Sequence, residues 1–419
     1  MASLAESLGV LREREFRLLF TGQLISLLGD SFSTVALAFA VLDLTHSTSS
    51  AATDLGIVLA ARTIPLVGFL LAGGVIADRL SRRKVMLAAD VVRMGTYGAT
   101  AALVLAHSAT VAELAALQAL SGTATAFFNP ASTGLTPIVV SAESLQDANA
   151  LRGISMSATG LVGLAAGGSV VALVGPGWAL AVDAASFLAS VFFLARLRLP
   201  AHIPLPPQSF LADLREGWRE FVSRTWVWVI VLAASVTNAL NSIFSVLLAV
   251  IAKRDLGGAS AYTEILVGLA IGALIGGSLT LRVRPRRPLF LGTSLLVFIG
   301  LPVVLLALRA PVPVIAAGAI VSGCNNMLFN ALWETSLQRH VPSAALSRVS
   351  AYDWFGSLAF QPLGLLVAGP LAVALGENRT LWIVAAGSVA VVLLALLPAS
   401  VRNLTALPVA DIRPLDATS

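Results

Sequence analysis

The sequence predicts an all-α membrane protein with twelve transmembrane helices arranged as two six-helix bundles related by a pseudo-two-fold axis. Its composition is the first observation behind this class: 57% of the 419 residues are hydrophobic and only 12% are charged. Soluble domains average about 45–50% and about 25% for the same two groups. The second observation is a set of twelve apolar runs along the chain, and the third is a repeat shared by its two halves.

Each apolar run is close to or longer than the ~20 residues that a helix needs to cross a bilayer. The predicted spans run approximately from Phe16 to Val41, Leu55 to Ala77, Val85 to Ala106, Val111 to Val139, Ile154 to Val174, Trp178 to Leu194, Trp226 to Ala252, Ile265 to Leu281, Leu289 to Leu308, Val312 to Leu337, Trp354 to Leu375 and Leu381 to Leu397. We therefore expect residues 1–199 to form the first bundle, residues 226–400 the second, and residues 401–419 a cytoplasmic tail. Residues 200–225 are expected to link the bundles through an amphipathic helix on the membrane surface.

Basic side chains separate to one side of the predicted membrane. With a cytoplasmic N-terminus, the inside loops and tails hold 21 Lys and Arg residues, whereas the outside loops hold four. The positive-inside rule then places both termini in the cytoplasm and the chain in the inner membrane. Because the basic residues lie in short loops, the net charge of +5 reflects topology and not nucleic-acid binding.

The internal repeat lies in the fourth and tenth spans. Four residues of the fourth span, Ser121, Gly122, Phe128 and Asn129, recur 201 positions later as Ser322, Gly323, Phe329 and Asn330. Parallel six-helix repeats of this kind place a substrate site at the bilayer midplane between the halves, where it can open to one side at a time.

The loop after the second span carries a glycine, an Asp-Arg pair and further basic residues. Its members are Gly74, Asp78, Arg79, Arg82 and Arg83. The glycine permits close helix approach, and a carboxylate at a helix end can cap the positive N-terminus of a neighbouring helix. The basic residues can pair with acids or lipid phosphates, although positive-inside topology alone would also account for them.

This loop resembles the signature between the second and third helices of the major facilitator superfamily. The resemblance implies that the loop latches one conformational state, and Asp353 near the start of the eleventh span is expected to meet the Arg79 cluster as a cytoplasmic gate. Ser81 stands where the family usually has glycine, which leaves the geometry of the turn open.

In the fifth span, Gly163, Gly167 and Gly168 resemble the glycine-rich motif of exporting members. Ordinary small-residue packing is the alternative explanation for this spacing. The sequence around Asp90 and Arg93, together with other positions between residues 10 and 395, also resembles the drug and siderophore efflux branch that includes the enterobactin exporter.

Ionisable side chains at bilayer depth are expensive and therefore indicate function by default. Asp30 and Glu334 are the proton-coupling candidates, since both lie in spans that line the central cavity in this superfamily; Glu334 could also be an interfacial acid. Asp90 and Arg93 are three residues apart and could form an internal pair or take part in a relay. Asp183 is expected to bond to its own helix.

Polar and aromatic residues of the seventh and tenth spans would give a mixed cavity suited to amphipathic cargo: Asn238, Asn241, Asn325, Asn326, Asn330 and Trp333. Asparagines in membrane helices also hold helices together. The sequence thus predicts a monomeric, proton-coupled exporter of small amphipathic molecules in the lipid bilayer. An importer or facilitator of a metabolite, and a non-transporting receptor, remain open.

An enzyme is not expected, because the chain has no phosphate-binding loop, no zinc-protease motif and no nucleophile elbow. No cofactor or metal is expected either. The four histidines are scattered along the chain, and Cys324 is the single cysteine.

Overall fold

The computed structural model describes residues 8–45, 48–141, 144–199, 210–280 and 282–406. At some of these positions the description covers the backbone alone: residues 8, 48–49, 71, 74–79, 145–147, 149–150, 154, 157, 210–214, 343–345 and 347.

Within the described residues, helices follow one another with short connections. The first bundle consists of α1 (Arg14–Leu44), α2 (Thr48–Arg79), α3 (Arg82–Leu105), α4 (Val111–Val139), α5 (Leu145–Val174) and α6 (Pro176–Ala195). A short helix, α7 (Phe210–Val222), leads into the second bundle. This bundle consists of α8 (Thr225–Ile251), α9 (Ala259–Thr280), α10 (Pro288–Leu295), α11 (Leu301–Ala307), α12 (Val312–His340), α13 (Ser343–Leu358), α14 (Gln361–Leu375) and α15 (Glu377–Ala395), and a final turn, α16, covers Ala399–Arg402.

The helices confirm the predicted fold class, in which twelve spans form two bundles. Eleven candidate spans in the described part of the chain are long and apolar enough to cross a membrane. The remaining one, α3, is a continuous helix of 24 residues with five charged side chains in its first half. Two of them, Asp90 and Arg93, are buried inside the bundle, so α3 depends on its neighbours rather than on lipid to hold these charges.

Two of the twelve spans are interrupted. The ninth consists of α10 and α11 joined by a tight 3-10 segment, Leu296–Gly300, that precedes Pro302. The eleventh consists of α13 and α14, with a break at Ala359 and Phe360. Proline near the start of α11 and of α14 explains both positions, because proline is favoured in the first turn of a helix and cannot continue one that precedes it.

Corresponding glycines hold corresponding helix pairs together in the two bundles. In the first bundle α2 packs on α4, and a Cβ atom on Gly122 would lie closer than 3.0 Å to the carbonyl oxygen of Arg62. In the second bundle α9 packs on α12, and a Cβ atom on Gly323 would meet the carbonyl oxygen of Leu269 in the same way. The repeat seen in the sequence therefore preserves a helix contact that only glycine allows.

The two bundles meet closely at the end of the molecule that carries Lys253, called here the Lys253 end. There α2 packs on α14 and α5 on α9. A Cβ atom on Gly56 would overlap the carbonyl oxygen of Leu365, and Lys253 Nζ lies 2.6 Å from a carboxylate oxygen of Asp43. These contacts close the space between the bundles at this end.

The linker helix α7 packs on α13 at the opposite end, called here the Arg82 end. Its Glu216 pairs with Arg348, and the rings of Trp218 and Phe221 lie 5.6 Å and 5.9 Å from the ring of Tyr352. Aromatic side chains of this helix therefore lie on protein, while its expected role as a linker on the membrane surface stays a prediction. Arg224 follows the end of α7 and donates a hydrogen bond to Glu220 in its last turn, which lowers the pKa of that carboxylate.

Candidate functional site

An ionic cluster lies inside the first bundle, between α1, α3 and α6. The guanidinium of Arg93 places Nη2 2.7 Å from both carboxylate oxygens of Asp30, and its Nη1 lies 3.4 Å from Asp90 Oδ1. Ser190 donates a hydrogen bond of 2.6 Å to the other oxygen of Asp90. The structure therefore brings two predicted acids, Asp30 and Asp90, together around the predicted Arg93.

Aromatic rings enclose the arginine of this cluster. Arg93 Cζ lies 4.0 Å from the ring centroid of Phe187 and 5.3 Å from that of Phe128. A guanidinium over the face of an aromatic ring is stabilised by the quadrupole of the ring. Two carboxylates and two rings together replace the water that Arg93 gives up inside the bundle.

The members of the cluster differ in their access to solvent. The side chains of Arg93 and Asp90 are 4% and 0% exposed, whereas that of Asp30 is 26% exposed. Asp30 is therefore the carboxylate of this cluster that a proton from water can reach without rearrangement of the bundle.

Asp183 lies next to this cluster, against α1 at Gly29. A Cβ atom on Gly29 would lie 2.5 Å from Asp183 Oδ1, so glycine makes room for the acid. Ser186 Oγ donates to the same oxygen at 3.2 Å, which is the local hydrogen bond expected from the sequence.

A cavity of about 220 Å³ lies in the second bundle, between α8, α12 and α13. Most of the polar and aromatic residues predicted for this half of the protein line it: Asn238, Asn241, Asn326, Asn330, Trp333, Glu334 and Asp353. Asn325 is not part of the wall, and its amide donates to the carbonyl oxygen of Val321 on its own helix. The described residues thus form two separate polar centres: an ionic cluster in the first bundle and a cavity in the second.

Hydrogen bonds fix the walls of the cavity. Trp333 Nε1 donates to Asp353 at 2.9 Å, and Ser357 Oγ lies 3.3 Å from the other carboxylate oxygen. The amide of Asn238 donates to the carbonyl oxygen of Ser357 at 2.8 Å. On α12, Asn330 donates to the carbonyl oxygen of Asn326, also at 2.8 Å.

Polar side chains of α8 also form hydrogen bonds with the backbone groups at the break between α13 and α14. Ser235 Oγ accepts a hydrogen bond of 3.1 Å from the backbone N–H of Phe360. Asn238 binds the carbonyl of Ser357 on the other side of the break. Backbone groups freed inside a membrane need partners of this kind, so one of the predicted asparagines both lines the cavity and supports its wall.

The predicted latch is described only in part. Arg82 donates to the carbonyl oxygen of Gly134 on α4, and Arg83 donates to that of Leu194 on α6 at 2.9 Å. Both bonds stay within the first bundle, and the second one satisfies a carbonyl at the C-terminal end of α6. Gly74, Asp78 and Arg79 are described by their backbone alone. The latch, and a gate between this loop and Asp353, therefore stay predictions.

The glycines of α5 face two different neighbours. Cβ atoms on Gly163 and Gly167 would lie 2.6 Å from Ser31 Cβ and 2.7 Å from Phe32 Cα of α1. A Cβ atom on Gly168 would collide with Thr263 of α9, in the second bundle. This motif therefore packs the first bundle internally and also seats the second bundle against it.

Sequence reasoning missed the contribution of α6 to the ionic cluster and that of α10 to the cavity. A signal for the first was present: Asp183, Ser186 and Ser190 are spaced three and seven residues apart in an apolar helix, so they share one face. Thr293 lines the cavity from α10, and a single threonine in an apolar run carries no such signal.

Twelve spans in two bundles, with an ionic cluster in one bundle and a polar cavity in the other, are the architecture of a multi-pass membrane transporter of small molecules. The chain belongs to the transmembrane secretion effector family of the major facilitator superfamily, whose family model matches residues 5–416. The resemblance stated from the sequence is thereby confirmed.

Two similar proteins have names that describe efflux. The multidrug efflux pump Tap of Mycobacterium tuberculosis is 26% identical, over 96% of this chain and 97% of that protein. The enterobactin exporter EntS of Escherichia coli O1:K1 is 28% identical, over 85% of each chain. Among solved structures, the nucleoside transporter NupG superposes with a TM-score of 0.66 at 17% identity, over 91% of this chain and 98% of that one; at this identity the likeness concerns the fold.

Proposed function

We propose that this protein exports small amphipathic molecules from the cytoplasm by proton antiport with alternating access. One observation carries the proposal. In the first bundle a buried arginine is paired with two carboxylates, of which one is accessible to water, and in the second bundle polar and aromatic residues line a cavity. The first arrangement suits proton exchange, and the second suits binding of cargo. The names of the efflux relatives support the direction of transport.

The orientation follows from the distribution of basic residues. We place the Arg82 end in the cytoplasm, because its loops hold most of the Lys and Arg residues. The bundles are packed together at the Lys253 end, which then faces outward. In this orientation the structure corresponds to the state that takes up cargo from the cytoplasm.

Proton exchange is assigned to Asp30. In the structure its carboxylate shares the charge of Arg93 with Asp90. A proton that binds Asp30 removes one negative charge, and Arg93 is then held by Asp90 alone. Because α1 and α3 are joined through this contact, protonation weakens their connection and favours a different arrangement of the two helices. Release of the proton restores the ion pair.

Replacement of Asp30 by asparagine tests this assignment. Asp30→Asn keeps the shape of the side chain and a hydrogen-bond acceptor for Arg93, but it cannot cycle between charged and neutral forms. We expect it to fold and to lose proton-coupled efflux, with a rate at least about tenfold below that of the wild type, a factor equivalent to ~1.4 kcal/mol in the barrier. Inverted vesicles that carry a pH-sensitive dye report the proton flux that cargo induces.

A matched control is available on the same helix. Asp43→Asn removes an exposed carboxylate at the Lys253 end and should transport at nearly the wild-type rate. Proton flux that is equal in Asp30→Asn and in the wild type would remove Asp30 from the mechanism. Cargo that accumulates in cells in place of leaving them would instead support the importer alternative.

A further inference from the structure

The cavity of the second bundle has an unbalanced charge. Two carboxylates, Glu334 and Asp353, line it, and no Lys, Arg or His is among the described residues of its wall. In the first bundle, by contrast, Arg93 compensates the buried acids. Glu334 is exposed and makes no hydrogen bond or ion pair among the described residues, so its charge is available to a ligand.

Aromatic faces accompany these acids. The hydrogen bond from Trp333 to Asp353 fixes the orientation of its indole ring. Trp354 also lines the cavity, and 62% of its surface is exposed. The electron-rich face of an indole ring attracts organic cations, more strongly when the cation is partly desolvated. Indole rings beside unpaired carboxylates therefore favour a positive and partly apolar ligand.

An unused polar group in the wall provides a second, independent sign of a ligand. Thr293 is only 2% exposed, and its hydroxyl has no hydrogen-bond partner among the described residues although it lies in the cavity wall. Buried hydroxyls are nearly always hydrogen-bonded, and an exception calls for a missing partner. The oxygen itself is covered in this structure, so rotation of the hydroxyl toward the cavity would let a polar atom of a bound molecule, or water that accompanies it, become its partner.

We propose that the cavity binds amphipathic organic cations, such as protonated or quaternary amines with an aromatic body, with Glu334 as the counter-ion. The inference rests on the proposed export function and adds the chemical class of the cargo. A volume of about 220 Å³ accommodates one small aromatic cation or the charged part of a larger one. An anion of the same size would meet two carboxylates and no cation, and like charges at short range exclude it.

A pair of probes of matched shape and opposite charge tests this inference. Tetraphenylphosphonium and tetraphenylborate differ mainly in the sign of their charge, and tryptophan fluorescence of the purified full-length protein can report the binding of either. We expect the phosphonium to bind, and Glu334→Gln to weaken it about tenfold or more. Glu264→Gln, which neutralises an exposed acid of α9 outside the cavity wall, is the matched control and should leave binding unchanged.

Reversal of the charge at position 334 makes the test sharper. Because the side chain of Glu334 is exposed, its substitution is expected to leave the fold intact. Glu334→Lys should reverse the preference, so that the borate binds better than the phosphonium. Equal binding of both probes to the wild type, or unchanged phosphonium binding in Glu334→Gln, would overturn the inference.

Export measured in cells separates this inference from the proposed function. If cells export neutral amphipathic dyes while the purified protein does not prefer the phosphonium, export stands and the cationic class fails. If the protein binds the phosphonium selectively but cells export none of the dyes, the binding class stands and the export function fails.

Discussion

The two bundles share a backbone plan but differ in how they treat charge. In the first bundle, Arg93 is paired with acids and enclosed by rings; in the second, Glu334 and Asp353 face a cavity whose described lining contains no basic residue. The position equivalent to Trp333, 201 residues earlier, is Ser132, which accepts a hydrogen bond of 2.6 Å from Gln23. The two halves thus share a scaffold but carry different side chains at this equivalent position, and one half holds a compensated cluster whereas the other holds a polar cavity.

The largest effect is expected where charge is compensated. Arg93→Ala leaves Asp90 buried and unpaired, and loss of one partner of a buried ion pair typically destabilises a protein by ~3–5 kcal/mol. We expect low yield and a clearly lowered melting temperature in detergent, measured by thermal unfolding of the purified protein.

A neutral cluster is the control for this prediction. The triple variant Asp30→Asn, Asp90→Asn and Arg93→Gln removes the charges together and should recover most of the lost stability while it abolishes proton coupling. If Arg93→Ala melts like the wild type, the cluster does not hold the first bundle together. The corresponding neutralisation of the cavity, Glu334→Gln, should leave the melting temperature nearly unchanged, because that acid is exposed.

An intermediate effect is expected at the contact between the bundles. In Gly56→Ala the new methyl group overlaps the carbonyl oxygen of Leu365, and overpacking of this kind typically costs about 1–3 kcal/mol. The substitution should therefore shift the population toward separation of the bundles at the Lys253 end. Gly68→Ala is the control on the same helix, because no described atom lies within 4 Å of its Cβ position.

Distances between spin labels measure this shift. Ser108 and Leu308 are exposed residues of different bundles at the Lys253 end, and the distance between labels at these positions should lengthen in Gly56→Ala but not in Gly68→Ala. The native thiol of Cys324 is replaced in all samples. An unchanged distance distribution in Gly56→Ala would show that this contact does not limit separation.

The smallest effect is expected at the ion pair that also joins the bundles. Lys253 and Asp43 are 35% and 53% exposed, and exposed pairs contribute about 0–1 kcal/mol. Asp43→Asn should change the label distance only slightly, and less still in concentrated salt, which screens the pair in the wild type. A shift as large as that of Gly56→Ala would mean that charge, and not close packing, holds this end.

Local sequence patterns predicted the spans, the repeat and most of the polar residues that line the cavity, because hydropathy and helical spacing are properties of neighbouring residues. They could not predict the Asp30–Arg93 contact, since the two residues lie 63 positions apart on different helices. They suggested only the pair within α3, which the structure contains as the weaker contact at 3.4 Å.

The interruptions of the ninth and eleventh spans also escaped prediction. The first run is apolar throughout, and the proline that starts its second part is compatible with a continuous membrane helix. In the eleventh span the decisive partners, Ser235 and Asn238, belong to another helix. Proline fixes where each second part begins, whereas tertiary hydrogen bonds give the backbone groups at the break in the eleventh span their partners, and no window along the chain contains those partners.

The break at Ala359 and Phe360 has a mechanical consequence. A helix without a continuous ladder of backbone hydrogen bonds cannot act as a stiff lever, so its two parts can tilt by different amounts. The part nearer the Lys253 end, α14, touches the first bundle near Gly369, whereas the other part, α13, carries Asp353. Bending at this joint would let the contact between the bundles open while α13 keeps its place in the cavity wall.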